Sequence, residues 1–135
     1  PPERPPFKAV GGWLCLDFVN SVNWDSPEGA AERFFDYTDL IRWGQFAATL
    51  TEAEAQQLLR TAANRPAEAA AVYEQALALR ATIHRIFAAV ANGSSPAAGD
   101  LAALTSPNLA AALRERGAVL TSYCGLRTVA AGGRP

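Results

Sequence analysis

One histidine, two cysteines, no methionine and no surplus of basic residues mark what this chain has least of, and each scarcity closes off a class of function. With Cys15, Cys124 and His84 alone, a four-ligand Cys/His zinc site cannot be assembled within one chain, so no metal and no cofactor are expected. Lys and Arg number 12 against 13 Asp and Glu, a formal net charge of −1. Duplex DNA is held by clustered Lys and Arg that neutralise phosphates, so direct DNA binding by this chain alone is not expected. Its longest apolar stretches are alanine-rich, broken by charge and shorter than the about 18 residues of a membrane span, so no membrane partner and no targeting segment are expected. Sparse cysteine suits a reducing cytoplasm. The chain opens on Pro1, which fits either an initiator removed before it or a start lying further upstream.

What is present suffices for one respectable core: 135 residues, half of them hydrophobic. The prolines of residues 1–6 cannot propagate a helix, so residues 1–10 read as an extended arm, with a short strand at Phe7–Val10 before Gly11-Gly12. Residues 11–131 read as a single domain and 132–135 as a frayed tail. Trp24–Arg33, carrying Pro27 and Gly29, reads as a loop. Leu40, Trp43, Gly44 and Ala47 share one helical face over 38–50, with Thr38 as N-cap. Thr51 and Glu54 form a capping box that predicts a helix from Glu52 to Asn64, with Leu50 placed as a staple, and Pro66 ends it. The longest helix is predicted over 67–91, its apolar stripe built from Val72, Ala76, Leu79, Ile83, Ile86, Phe87 and Val90, with Asn92-Gly93 as its stop. Asp100 predicts a capped turn through Leu104, and Ser106-Pro107 a helix over 108–116. Beyond Gly117, Val119, Leu120, Tyr123, Leu126 and Val129 predict a strand or hairpin. The fold class is therefore mainly α (α+β), a compact helical domain with a small N-terminal strand and a C-terminal strand or hairpin.

The run Leu14-Cys15-Leu16-Asp17-Phe18-Val19-Asn20-Ser21-Val22 sets an acid and an amide inside an apolar segment. At about 100° per residue, Leu14, Cys15, Phe18, Val19 and Val22 share one side, and Asp17, Asn20 and Ser21 fall on another. This segment resembles the opening of the ABATE domain, the N-terminal half of the CGNR zinc-finger family of stress-induced transcription regulators. Phe35–Trp43 resembles the family segment that follows the signature, Ala76–Phe87 its arginine-bearing helix, and Asn92–Leu104 its small-residue loop and turn. Together these cover roughly residues 10–116. The resemblance implies a regulatory or ligand-sensing domain whose DNA binding comes from a C-terminal zinc finger. That finger is absent from this chain, where Cys124-Gly125-Leu126-Arg127 only faintly echoes its motif.

Four residues are the candidate ligand contacts: Asp17, Asn20, Arg80 and Trp13. Asp17 and Asn20, one helical turn apart, can meet a ligand at the helix surface or satisfy the backbone of a neighbouring loop. Arg80 lies on the edge of the long stripe beside Tyr73 and His84, where its guanidinium can pair with Asp17 or grip a carboxylate or phosphate. Trp13 adjoins the signature and is the preferred ligand neighbour, although tryptophan in a small domain packs by default. Cys15 reads as inert packing and His84 as an ordinary amphipathic side chain. No Ser/His/Asp triad or phosphate-cradling loop is present, so no enzyme activity and no catalytic residue is expected. The leading expectation is a domain sensing an unknown small molecule, ahead of a homodimerisation module and, more remotely, a small hydrolase.

Overall fold

Helix α1 begins where Trp13, in extended backbone, hands over to Leu14, and it ends at Val19. The apolar signature would permit a longer helix, but Ser21 Oγ donates to the Phe18 carbonyl at 2.6 Å and occupies an acceptor that the next turn would need. The chain then straightens into β1, Val22–Asn23, which pairs antiparallel with β2, Ala31–Glu32, in the register Val22 to Glu32. The computed structural model describes residues 6–23, 27 and 31–107. The sequence therefore placed its N-terminal strand wrongly. Phe7–Val10 forms no strand, and the pairing lies instead in β1 and in β2, within the stretch read as a loop. Cys15 is exposed rather than packed, because the short helix turns Phe18 and Val19 inward.

Helix α2, Tyr37–Phe46, is capped by Asp36, whose side chain accepts from the Asp39 amide, and not by Thr38, which sits inside its first turn. A carboxylate two residues earlier is the stronger acceptor for an orphan first-turn amide, and the helix starts there. The helix stops short of Leu50 because Ala48 enters the left-handed region at φ 54 and the Thr49 and Leu50 amides both turn back to the Gly44 carbonyl. Leu50 thereby lies on bare backbone: a β-carbon at Gly44 would stand 2.6 Å from Leu50 Cδ1.

Helix α3, Glu52–Asn64, has the expected capping box, with the Thr51 amide donating to Glu54 at 2.8 Å and the Glu54 amide to Thr51 Oγ1 at 3.3 Å. The Thr51 amide, and then the Thr51 hydroxyl at 2.7 Å, donate to the Glu54 carboxylate and hold it below its ordinary range. Pro66 ends α3 by opening α4, Pro66–Ala91, at the helix position where its missing N–H is not needed. Gly93, at φ 70, terminates α4. Helix α5, Ala98–Leu104, carries Asp100 in its first turn and is capped by Ala97, so the predicted Asp100 cap is replaced by an ordinary first-turn acid. The helix expected over 108–116 and the C-terminal strand or hairpin lie outside the described residues. By contacts the chain divides into two compact units, residues 1–94 and 95–135.

The core of the first unit is aromatic. Phe18, Phe34 and Trp43 form its centre, with Phe18 and Trp43 rings 4.9 Å apart and Phe34 6.0 Å from Phe18. Tyr73, Ala76, Leu77 and Ile83 of α4 close over it. This face of α4 is rotated from the predicted stripe, leaving Val72, Leu79, Phe87 and Val90 exposed. A buried arginine, Arg80, explains the rotation, since periodicity arguments assume that the charged residue faces water. Among the described residues no helix is long and apolar enough to cross a membrane.

Candidate functional site

Arg80 stands mid-way along α4 and is only 4% exposed. Its guanidinium makes a bidentate pair with Glu32 on β2, through Nη1 to Oε1 at 2.9 Å and Nη2 to Oε2, and Nη1 also donates to Ser21 Oγ at 3.0 Å. The same guanidinium lies 5.0 Å from the centroid of the Phe34 ring, within cation–π range. Glu32 Oε1 additionally accepts from the Arg33 and Phe34 amides, each at 2.8 Å. Tyr73 Oη donates to the Phe34 carbonyl at 3.0 Å. One polar circuit thus fastens α4 to the hairpin and to the end of α1.

Burial pushes the Glu32 carboxyl up, but the hydrogen bond and charge of Arg80, with the Phe34 and Arg33 amides, outweigh it and hold the group below its ordinary 4.5. A folded pKa below the unfolded one stabilises the protein above about pH 4.5, and that contribution is lost as pH falls through the folded value. Urea unfolding from pH 6 to 3 is therefore expected to show a steeper acid loss for the native chain than for Glu32→Gln. Parallel profiles would show that Glu32 carries none of the acid sensitivity.

Asp17 does not meet Arg80. Its Oδ1 accepts from the Val10 and Gly11 amides at 2.8 and 2.7 Å, so α1 holds the segment that leads into it. Gly11 fits there because a β-carbon would stand 2.5 Å from Leu16 Cβ. Further back, Arg33 Nη1 donates to the Pro6 carbonyl at 2.8 Å, and Phe7 packs 5.6 Å from Phe34 and 5.8 Å from Phe46. Asp17→Ala is expected to cost about 1–3 kcal/mol, the loss of charge-assisted bonds to two amides. Hydrogen exchange should accelerate at Val10 and Gly11, and unchanged exchange there would refute the tether.

The four candidate contacts do not converge. Trp13, 73% exposed, and Asp17 share a groove of about 280 Å³ with Ala9, Phe46 and Ala48. Asn20 is the half-buried C-cap of α1, Arg80 belongs to the Glu32 circuit, and neither lines that groove. A larger groove of about 550 Å³ runs between the start of α2, the second half of α3 and the first half of α4. Asp36, Tyr37, Thr38, Ala62, Ala69 and Tyr73 are among its walls, and Tyr37, Ala62 and Ala69 also border an adjoining groove of about 140 Å³. Burial, then the charges of Glu32 and Glu74, push the Tyr73 phenol up, keeping it a hydrogen-bond donor. Sequence reasoning missed Glu32, Ser21 and this groove. A wall of alanines from two helices carries no chemical signal, and Glu32 lies in a segment with no periodicity. Asp39, wholly buried, was also passed over; it accepts from the Phe35 amide at 3.0 Å and from Arg42 at 2.8 Å. Its place three residues after the cap is visible only once Asp36, and not Thr38, is the cap.

Comparison with known proteins rests on one match. The family model ABATE, described as "Putative stress-induced transcription regulator", matches residues 12–128. The chain belongs to the ABATE family. Among the described residues, the ABATE span takes in α1 to α5, the paired β1 and β2, the Glu32–Arg80 pair and, apart from Ala9, the grooves of about 550 and 280 Å³. No curated protein and no solved structure matches it. Among the described residues of this ABATE chain, no group of three or more His, Cys, Asp or Glu is placed to hold a metal ion.

Proposed function

We propose that this ABATE domain is a regulatory module that senses a small molecule, and that it is not an enzyme. The observation carrying this reading is the position of the 550 Å³ groove, which lies within the usual size range of small-molecule sites. Tyr73 lines it and donates to the Phe34 carbonyl, while the Phe34 amide donates to Glu32, the partner of Arg80. An occupant touching Tyr73 is one hydrogen bond away from the circuit that joins α4 to the hairpin. Binding that favours one position of Tyr73 then shifts the population of α4 and hairpin packings, which an attached domain can read. The polar side chains Asp17, Asp39 and Arg80 are engaged with backbone amides or with Arg42, Ser21 and Glu32, an arrangement that fixes loops rather than presenting a base or nucleophile. Trp13 and Asp17, in their smaller groove, form the second place for such a ligand.

A fragment screen by NMR on the labelled chain tests the reading. Hits are expected to perturb Ala62, Ala69 and Tyr73, and to change amide exchange at Phe34 as well. Binding that leaves Phe34 unchanged would remove the sensing role. The exposed stripe Val72, Leu79, Phe87 and Val90 favours a second reading, self-association through α4. Sedimentation equilibrium of the native chain and of Leu79→Glu decides it, since a monomer at every concentration ends the dimer reading.

A further inference from the structure

Ahead of α1, residues 6–10 lie in no helix or strand, and only Phe7 among them is half-buried while the other four are exposed. A segment with so few buried contacts opens at low cost unless side chains hold it. Three fastenings do so here. The Phe7 ring packs 5.6 Å from Phe34 and 5.8 Å from Phe46, with the Arg42 guanidinium 5.8 Å from its centroid. Arg33 Nη1 donates to the Pro6 carbonyl at 2.8 Å, and Asp17 Oδ1 holds the Val10 and Gly11 amides. The Asp17 bonds sit at the root of the segment, next to Gly12 in left-handed backbone at φ 71. The other two grip its tip, residues 6–9. Arg33 and Phe34, which hold Pro6 and Phe7, are also the two residues whose amides donate to Glu32 Oε1, the oxygen that Arg80 Nη1 shares. The Phe34 ring in addition lies under the Arg80 guanidinium. The tip is therefore seated directly on the residues that complete the buried pair. Ala9 forms part of the wall of the groove of about 280 Å³, and Phe46 borders both that groove and Phe7.

We propose that residues 6–9 are a two-state clasp, closed with Phe7 seated against Phe34 and Phe46 and open with the rest of the domain still folded, whose state reaches the Glu32–Arg80 pair through Arg33 and Phe34. Opening takes an aromatic neighbour from Phe34 and the Pro6 acceptor from Arg33 in one step. Whatever captures the open tip then biases the pair by that difference. The clasp needs no ligand in either groove to work. Trypsin cleavage after Lys8, followed by mass spectrometry on the full chain, measures the open population, because the protease must draw several residues around Lys8 into its own cleft. Arg33→Met and Phe7→Leu are each expected to speed that cleavage about fivefold to tenfold, from loss of a charged hydrogen bond or an aromatic contact. Urea below the unfolding transition should leave the native rate nearly unchanged, since little surface opens with the tip. In both variants the NMR signals of Arg80 Nε and the Ser21 amide, which belong to neither fastening, should move along one common line, ranked as the cleavage rates are. Arg33→Met leaves the aromatic core in place, so the test stands if Phe7→Leu does not fold. Signals that stay fixed, or that move in unrelated directions, overturn the transmission to the pair. A cleavage rate that neither variant changes, or one that climbs with urea as steeply as global unfolding, overturns the clasp itself.

Discussion

Phe34→Ala is expected to destabilise the domain by about 3–5 kcal/mol, the range for emptying an aromatic site in a core that cannot collapse fully. Phe34 is 0% exposed and its ring meets Phe7, Phe18 and Trp43, with centroids at 5.6, 6.0 and 6.4 Å. The Arg80 guanidinium over the same ring loses its cation–π partner as well. Against the usual total of about 5–15 kcal/mol, such a loss leaves little folded margin. Phe34→Leu, which keeps most of the volume, should cost clearly less. Urea unfolding followed by tryptophan fluorescence measures both, and a cost below about 1 kcal/mol for the alanine variant would mean that Phe34 is not central to the core.

The second large effect is an asymmetry between the partners of the buried pair. Glu32→Ala is expected to cost about 3–5 kcal/mol, because it strands the Arg80 guanidinium, whose side chain is 5% exposed. Arg80→Met should cost less, about 2 kcal/mol, since the Glu32 side chain is 34% exposed, keeps two backbone amides and is screened by water. The double variant should be less destabilised than the sum of the singles by about 1–3 kcal/mol. In contrast, Asp17→Asn and Arg80→Met share no bonding partner and should add to within about 0.5 kcal/mol. Equal costs for Glu32→Ala and Arg80→Met would show that the arginine is not held as dry as its surroundings imply.

What the sequence made legible was local. The capping box at Thr51 and Glu54, the proline that divides α3 from α4, and the Asn92-Gly93 stop act within a few residues, so spacing alone placed those boundaries. The partner of Arg80 was a different matter. A buried ion pair was foreseen, with an acid in the signature helix, because Asp17 lies beside an apolar face. The acid that pairs with it is 48 positions away on a two-residue strand that no periodic pattern marks. The α4 face failed for the same cause, since a satisfied guanidinium turned inward and carried Tyr73 and Leu77 with it while Leu79 and Val90 turned out. The candidate ligand contacts were scattered for a related reason. Helical spacing says which residues share a side, but not which side meets another helix, and the groove's walls are alanines without chemical individuality.

The fastening of the hairpin to α4 has a consequence for the order in which the chain acquires its structure. Ser21, Glu32 and Phe34 are bonded by Arg80 and Tyr73 across 59, 48 and 39 positions respectively. Helices α3 and α4 need only neighbours in sequence to start, whereas closing these long loops carries an entropic cost that short-range turns avoid. During synthesis from the N-terminus, Phe7, Phe18 and Phe34 emerge long before the residues of α4 that cover them. Until the α4 residues through Ile83 are available this surface lacks its cover, and exposed apolar surface of that kind is prone to aggregate.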